Sequence, residues 1–403
     1  MRLDLAEGRT VEVALTSGQV HALTGSGAVR LSPAATPGRW RVAADTNKVG
    51  VVRVGRGSDE VEVRIRPKLP VARLLFLLGY ARRLNWRPEQ VGVEEHPDLL
   101  PALAAAFARA AERALRQGPL QGYQYCEEAL PVVRGRIRVV DQVRRRHGLL
   151  LPVEAAFDDF TVDTAENRLL LAAARRLLRL PGVPAPTRSA LRRLQTRLAG
   201  VAPLVPGQPL PAWHPSRLNT RYHTALGLAE VILRGGSVEL APGPVRVDGL
   251  LVDMAAVFED FVTAALAEAL ARYGLRVRPQ DRRHALDVAG RVRIRPDLVV
   301  EDHTGRTVGV ADAKYKAERP GGFPDADLYQ ALAYATALGL PEAHLVYAAG
   351  DEQPARHTVR NAGVELVCHA LDLAAQPDSL LTQVRAVADK VAGPLVGGHA
   401  ASG

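Results

Sequence analysis

Arg295-Pro296-Asp297-Leu298-Val299-Val300 is followed, after a turn, by Gly309-Val310-Ala311-Asp312-Ala313-Lys314-Tyr315-Lys316. Asp297 and Asp312 stand fifteen positions apart, each beside a short apolar run. Joined as a β-hairpin, the two runs bring Asp297, Asp312 and Lys314 to one edge of a sheet. Strand alternation points Asp312 and Lys314 the same way and turns Ala313 back. Two carboxylates on one face make a hard-oxygen site for Mg²⁺, and the neighbouring ammonium can orient or deprotonate a water. That combination suits hydrolysis of a phosphodiester. No other part of the chain offers a complete set of catalytic groups. Gly-x-Ser-x-Gly and HNH-like spacings are absent, and His214 and His223 stand isolated, as structural histidines do.

Flanking residues sharpen the pattern. Glu259 lies in Phe258-Glu259-Asp260-Phe261 on the preceding helix, where an acid can face the same metal. Downstream, Gln330 and Tyr334 lie four apart, on one helical face, able to contact a phosphate or orient the lysine. Singly, each has an ordinary alternative: a solvated ion pair on an edge strand for Asp312 and Lys314, an exposed helix acid for Glu259, core packing for Tyr334. As an ordered set they read as a nuclease site.

A net charge of +9 and a pI near 9.9 favour a polyanionic partner, nucleic acid first. Compositional bias toward Arg, Ala, Pro and Leu is the competing account of the charge. It does not explain the lysines: Lys48, Lys68, Lys314, Lys316 and Lys390 are the only ones among 52 basic residues. Where Arg is the default cation, a Lys inside Asp-x-Lys suggests that a compact ammonium is wanted there. Cys126 and Cys368 form no metal-ligand spacing. The sequence starts without the apolar core of a signal peptide and lacks a run of eighteen apolar residues, so a soluble cytoplasmic protein with no membrane span is expected.

The elements that must position these groups fall into segments. At 403 residues two or three domains are expected. Short alternating runs such as Val61-Glu62-Val63-Arg64-Ile65 predict a small β-rich domain over residues 1–70. Residues 71–248 read as mostly helical, with helices at 71–84, 99–116, 165–180 (Thr164 as N-cap) and 218–233, and a β-patch near 122–140. The β-patch includes a strand over 132–139. Residues 249–392 read as an α/β core: a helix at 252–273, the hairpin, a helix at 325–338, a strand at 343–347, an edge strand near 364–368 and a helix at 379–391. The tail 393–403 is expected to be disordered. The fold class is thus α+β and multidomain.

The set of acid helix, Pro-Asp hairpin, Asp-x-Lys and Gln-x-x-x-Tyr helix resembles the PD-(D/E)xK nuclease superfamily, and the last element its RecB-like branch. Further segments resemble McrC, the nuclease subunit of McrBC modification-dependent restriction systems. They are Pro131-Val132-Val133-Arg134-Gly135-Arg136-Ile137, Asp163-Thr164-Ala165-Glu166-Asn167-Arg168-Leu169-Leu170, Asn219-Thr220-Arg221-Tyr222 and Gly249-Leu250-Leu251-Val252-Asp253-Met254. The likeness runs from about residue 50 to 370, and the first fifty residues match poorly.

The resemblance implies a C-terminal PD-(D/E)xK core, a mixed central sheet flanked by helices. Asp297, Asp312 and Lys314 would be its catalytic residues, joined by Glu259, Gln330 and Tyr334. Asp297, Asp312 and Glu259, with the Ala313 carbonyl, would hold Mg²⁺, for which Mn²⁺ could substitute. It also implies DNA as substrate and a separate McrB-like AAA+ GTPase hexamer that recognises modified cytosine and translocates DNA. In the family the amino-terminal half docks on that ring and can stimulate its GTPase. Here that half carries Arg134, Arg136, Arg144, Arg145 and Arg146, which read equally as ring contacts, phosphate contacts or a solvated face. The chain has no Gly-x-x-x-x-Gly-Lys-Ser/Thr loop and is not expected to bind a nucleotide that way. A RecB-like repair nuclease and a non-catalytic adaptor that activates a ring NTPase are the alternatives.

Overall fold

Val61, Val63 and Ile65 alternate with Glu62 and Arg64, and in the computed structural model the apolar three are buried while the charged two pair at 2.7 Å. The structure describes all residues except 46, 82–97, 206, 236–246, 316–323, 349–354 and 398–403. Lys316 and positions 398–403 of the tail therefore lie outside the described residues. Contacts divide the chain into two compact units, residues 1–103 with 235–403, and residues 104–234.

The first unit begins with β1 (Arg2–Ala6), β2 (Thr10–Ala14), α1 (Ser17–Thr24), β3 (Val29–Pro33), β4 (Arg39–Ala44), β5 (Lys48–Val54) and β6 (Val61–Arg66). Strands β2, β4 and β3 form one antiparallel sheet, and β1, β6 and β5 belong to another. Thr16 and Gln19 close a capping box at the start of α1. Helix α2 (Val71–Ala81) follows Pro70, and α3 (Leu99–Ala114) carries the chain into the second unit.

That second unit contains β7 (Gly122–Leu130), β8 (Arg136–Ile137), α4 (Val139–Arg146), β9 (Val153–Thr161), α5 (Ala165–Arg179), α6 (Ala185–Arg197) and α7 (His223–Arg234). The strand expected over 132–139 is shorter because Gly135, at φ +70°, turns the chain against Ala156. Residues 139–146 form a helix instead. The helix expected over 218–233 begins only at His223, after a short 3₁₀ turn at Thr220–Tyr222. Thr164 caps α5 through Asn167 N at 3.3 Å, as its type predicts.

Buried Asn167 is a hub: its side chain bonds the Leu120 carbonyl at 2.8 Å, the Val162 carbonyl at 2.7 Å and the Tyr222 hydroxyl at 3.0 Å. Asn219 reaches Glu166 at 3.0 Å and His223 at 2.7 Å. The motifs at 163–170 and 219–222 are thus two halves of one buried polar network, and His223 is a member of it.

The chain then returns to the first unit as β10 (Val247–Asp253), whose last two residues the sequence assigns to the helix that follows. This strand pairs antiparallel with β5 and completes the order β1-β6-β5-β10. Glycine permits the close approach: a Cβ on Gly50, at φ +136°, would sit 2.0 Å from the Leu250 carbonyl. Asp253 ends β10 and caps α8 (Met254–Ala271), accepting from Ala255 N at 2.9 Å.

Strands β11 (Arg276–Pro279), β12 (Leu298–Glu301) and β13 (Thr307–Lys314), helix α9 (Asp325–Leu338), strands β14 (Glu342–Tyr347), β15 (Ala355–Thr358) and β16 (Glu365–Ala370), and helix α10 (Pro377–Gly397) follow. They build a mixed sheet ordered β11-β12-β13-β14-β16-β15. The segment near 364–368 is not an edge strand. It is β16, paired parallel with β14 and antiparallel with the polar β15, which takes the edge. The final helix runs through Gly397, so residues 393–397 are ordered.

Helices cover both faces of this sheet. Val310 packs with Ala331, Tyr334 and Ala335 of α9, whereas Gly309 faces Val391 of α10. Among the described residues no helix is long and apolar enough to cross a membrane, and both cysteines are free.

His344 and His369, each 2% exposed on adjacent β14 and β16, stack with Nδ1 and Nε2 3.0 Å apart. Burial, then the neighbouring His344, pushes His369 down to about 3. Below its ordinary value near 6.5 the unfolded chain takes up a proton that the folded chain refuses. Stability from this residue is therefore present above that value and lost as the pH falls toward about 3, by about 2 kcal/mol between pH 7 and 5. Urea unfolding of wild type and His369→Phe at the two pH values should show a shallower acid loss in the variant. Equal losses would contradict the depressed pKa.

Candidate active site

Asp297 immediately precedes β12 and Asp312 lies near the end of β13, and these strands pair antiparallel with Leu298 opposite Ala311. That register places the two aspartates side by side. The backbone makes the placement firm, since Ala313 N donates to Asp297 Oδ2 at 3.0 Å. Lys314 emerges on the same face as Asp312, with Nζ 2.6 Å from Asp312 Oδ2. It donates at 2.7 Å to Gln330 Oε1. Gln330 Nε2 in turn donates to the Tyr334 hydroxyl at 2.6 Å, and that hydroxyl donates to the Arg295 carbonyl at 3.1 Å. Five of the residues singled out from sequence, Asp297, Asp312, Lys314, Gln330 and Tyr334, thus form one connected set.

Glu259 reaches this set through a residue that sequence reasoning missed. Gln280, just after β11, donates from Nε2 to Asp297 Oδ1 at 3.0 Å and also to Glu259 Oε1. Its own N–H donates to the Asp297 carbonyl at 2.8 Å, and its φ of +51° is uncommon for a residue with a Cβ. One side-chain amide therefore bridges two acids. Sequence reasoning missed Asp327 as well. It is buried on the first turn of α9, with Oδ1 3.7 Å from Lys314 Nζ. The signal was present, because Asp327, Gln330 and Tyr334 share one helical stripe.

Electrostatics follow from crowding acids in a buried place. Burial first, then the charge of Asp297, pushes Asp312 up to about 6. Burial and the charge of Glu259 likewise raise Asp297, and burial with the charge of Asp260 raises Glu259. Burial disfavours the Lys314 ammonium, but Asp312, Asp327 and Asp297 outweigh it and hold its pKa above the usual lysine value. Burial also lifts the Tyr334 phenol to about 12. Asp312 Oδ2 is buried and, apart from its ion pair with Lys314, accepts no hydrogen bond.

Such a site wants a second positive charge. The carboxylates of Asp297 and Asp312, hard oxygen donors side by side, are the groups that could hold a divalent cation of the Mg²⁺ type. Among the described residues no three His, Cys, Asp or Glu gather closely enough to hold a metal by themselves. A divalent cation held by the two aspartates would need water to complete its shell.

The basic cluster of the second unit is largely paired. Arg134 meets Asp159 at 2.6 Å and stacks over Phe157, Arg146 meets Glu154 at 2.8 Å, and Arg145 lies 3.7 Å from the same Glu154. Arg136 and Arg144 are exposed.

Residues 44–348 match the family model of the McrBC 5-methylcytosine restriction system component. The chain is also similar to a chain of the refined half-complex from a tetradecameric assembly of Thermococcus gammatolerans McrB AAA+ hexamers with bound McrC. That match has 17% identity and a TM-score of 0.62, over 97% of this chain and 100% of that one. A chain of the Thermococcus gammatolerans McrBC complex matches at 20% identity and a TM-score of 0.44, over 67% of this chain and 88% of that one. Comparison with curated proteins finds no match. The first likeness shows a shared fold.

If Gln280 is the bridge described, Gln280→Ala should destabilise the chain by about 1 kcal/mol, because two half-buried acids lose their shared donor. The loss should shrink when Glu259→Ala is also present. Identical losses in both backgrounds, measured by urea unfolding, would show that the amide does not couple them.

Proposed function

The chain belongs to the McrBC 5-methylcytosine restriction system component family, and from that membership and the site geometry we propose that it is the DNA-cleaving subunit of a modification-dependent restriction complex. In this reading it is a metal-dependent endodeoxyribonuclease whose core over 249–392 is of the PD-(D/E)xK type. Residues 1–70 and 71–248 would form the β-rich and partner-docking parts. The observation that carries the reading is the connected set of one buried and one half-buried carboxylate, one lysine, one glutamine and one tyrosine on the sheet face under α9.

Asp297 and Asp312, with Glu259 nearby, would hold Mg²⁺ or Mn²⁺. Such an ion supplies a Lewis acid for the phosphate and lowers the pKa of water at neutral pH. The chain's own residues supply positioning. Lys314, anchored at 2.7 Å by Gln330, keeps its ammonium beside Asp312, where it can orient a water and offset charge developing on the phosphate. Tyr334 and the Arg295 carbonyl hold Gln330 in turn. In this reading the site meets the phosphate backbone, and base selectivity belongs to a partner.

That partner would be a McrB-like AAA+ GTPase hexamer that recognises modified cytosine and delivers the duplex. Support on this chain comes from the second unit, which exposes Tyr123, Tyr125, Val140, Val143 and Phe160, a set of apolar groups of the kind that mark protein contacts.

In the assembled complex, Asp312→Ala or Lys314→Ala should lower cleavage of modified DNA by a factor of roughly 100 or more while the variant still folds. Retained cleavage by either variant, read on gels, would remove this site from the reaction. Chelation with EDTA should stop cleavage, and Mg²⁺ or Mn²⁺ should restore it. Activity that persists in EDTA would contradict the carboxylate role. The isolated chain should cleave unmodified duplex poorly or not at all.

A further inference from the structure

Five arginines converge on one cleft of the second unit, and we propose that this cleft binds the phosphodiester backbone of DNA. Arg109 and Arg113 lie on α3 and Arg116 just beyond it, Arg193 and Arg197 lie on α6, and together they line a cavity of about 430 Å³. Glu112 is the one carboxylate in that lining, and it is engaged with Arg193 at 3.0 Å. Arg113, Arg116 and Arg197 are exposed, and their guanidinium groups make no hydrogen bond or ion pair with any described residue. Cations set this closely repel one another. Held in a concave wall with a single acid, they leave a positive field that concentrates anions.

Side-chain type and spacing narrow the anion. Guanidinium forks suit phosphate oxygens, two donors at a time. Arg109 and Arg113 lie four residues apart on α3, a rise of about 6 Å at ~1.5 Å per residue. Along the duplex axis, where each strand carries one phosphate per ~3.4 Å, that rise spans about two phosphates. The remaining lining residues, Leu115 and Leu194, offer no aromatic ring on which a base could stack. A run of phosphates therefore fits better than a free nucleotide, and the binding would be indifferent to sequence. The segment that looks most basic in sequence does not offer this, since acids neutralise Arg134, Arg145 and Arg146.

The inference does not rest on cleavage, and its test is run without metal. The full chain in EDTA is titrated into a short fluorescein-labelled duplex over a series of salt concentrations, with anisotropy as readout. Arg113→Glu/Arg116→Glu/Arg197→Glu should bind at least tenfold more weakly than wild type. Its slope of log affinity against log salt should be shallower by about 0.9 for each phosphate that the cleft no longer neutralises. Should circular dichroism show the charge reversals to disturb folding, the triple Gln variant at the same positions should show the same direction of change. Unchanged affinity and slope in folded variants would overturn the proposal. So would variants that keep duplex binding and lose only the AAA+ partner, because the cleft would then recognise an acidic protein surface.

Discussion

Two carboxylates set side by side on a sheet, Asp312 buried and Asp297 half-buried, repel each other in a medium that screens them poorly, and the residues around them answer that cost. Asp297 is fixed by the Ala313 amide and by Gln280, and Asp312 by its ion pair with Lys314. The lysine alone cannot neutralise them, because Glu259 and Asp327 add two more acids around it. The site remains acid-rich, and Asp312 is held at about 6. Burying unsatisfied negative charge is expensive for a fold that uses it only for packing. It is reasonable for one that receives a cation and a phosphate there.

The N-terminal strands contribute to this arrangement although they lie far away in sequence. Strand β10 joins the sheet of β1, β6 and β5, and its last residue, Asp253, caps the helix that carries Glu259. Glu7, which is 1% exposed after β1, accepts from the Tyr315 hydroxyl at 3.2 Å, one residue beyond Lys314. It also accepts from Lys68 N at 3.2 Å. Burial raises both the Glu7 carboxyl and the Tyr315 phenol. Glu7, in the segment that resembles the family least, therefore braces the residue next to Lys314.

What is legible in the sequence follows from how local each signal is. The hairpin, the α9 bounds and the Asp312–Lys314 pair are set by spacing within a few dozen residues, and the structure has them as expected. Strand β10 does not stand out because Leu250-Leu251-Val252 is apolar without a period, and only its partner, β5 with Gly50, makes it a strand. Strand β16 reads as an edge because β15, which covers it, is too polar and short to stand out. Gln280 carries no motif; its role comes from a left-handed turn that aims it at two acids. The arginine cleft is invisible for a related reason: its two rows sit on helices that only tertiary packing brings together.

The central claim is that Asp297 and Asp312 share one divalent cation. Anomalous scattering from crystals of the chain soaked in Mn²⁺ tests it directly. The account predicts a peak within coordination distance of oxygens from both carboxylates, next to the Lys314 ammonium, that vanishes in Asp312→Ala crystals. A peak bound elsewhere with this pair left empty, or one that survives the substitution, would contradict it.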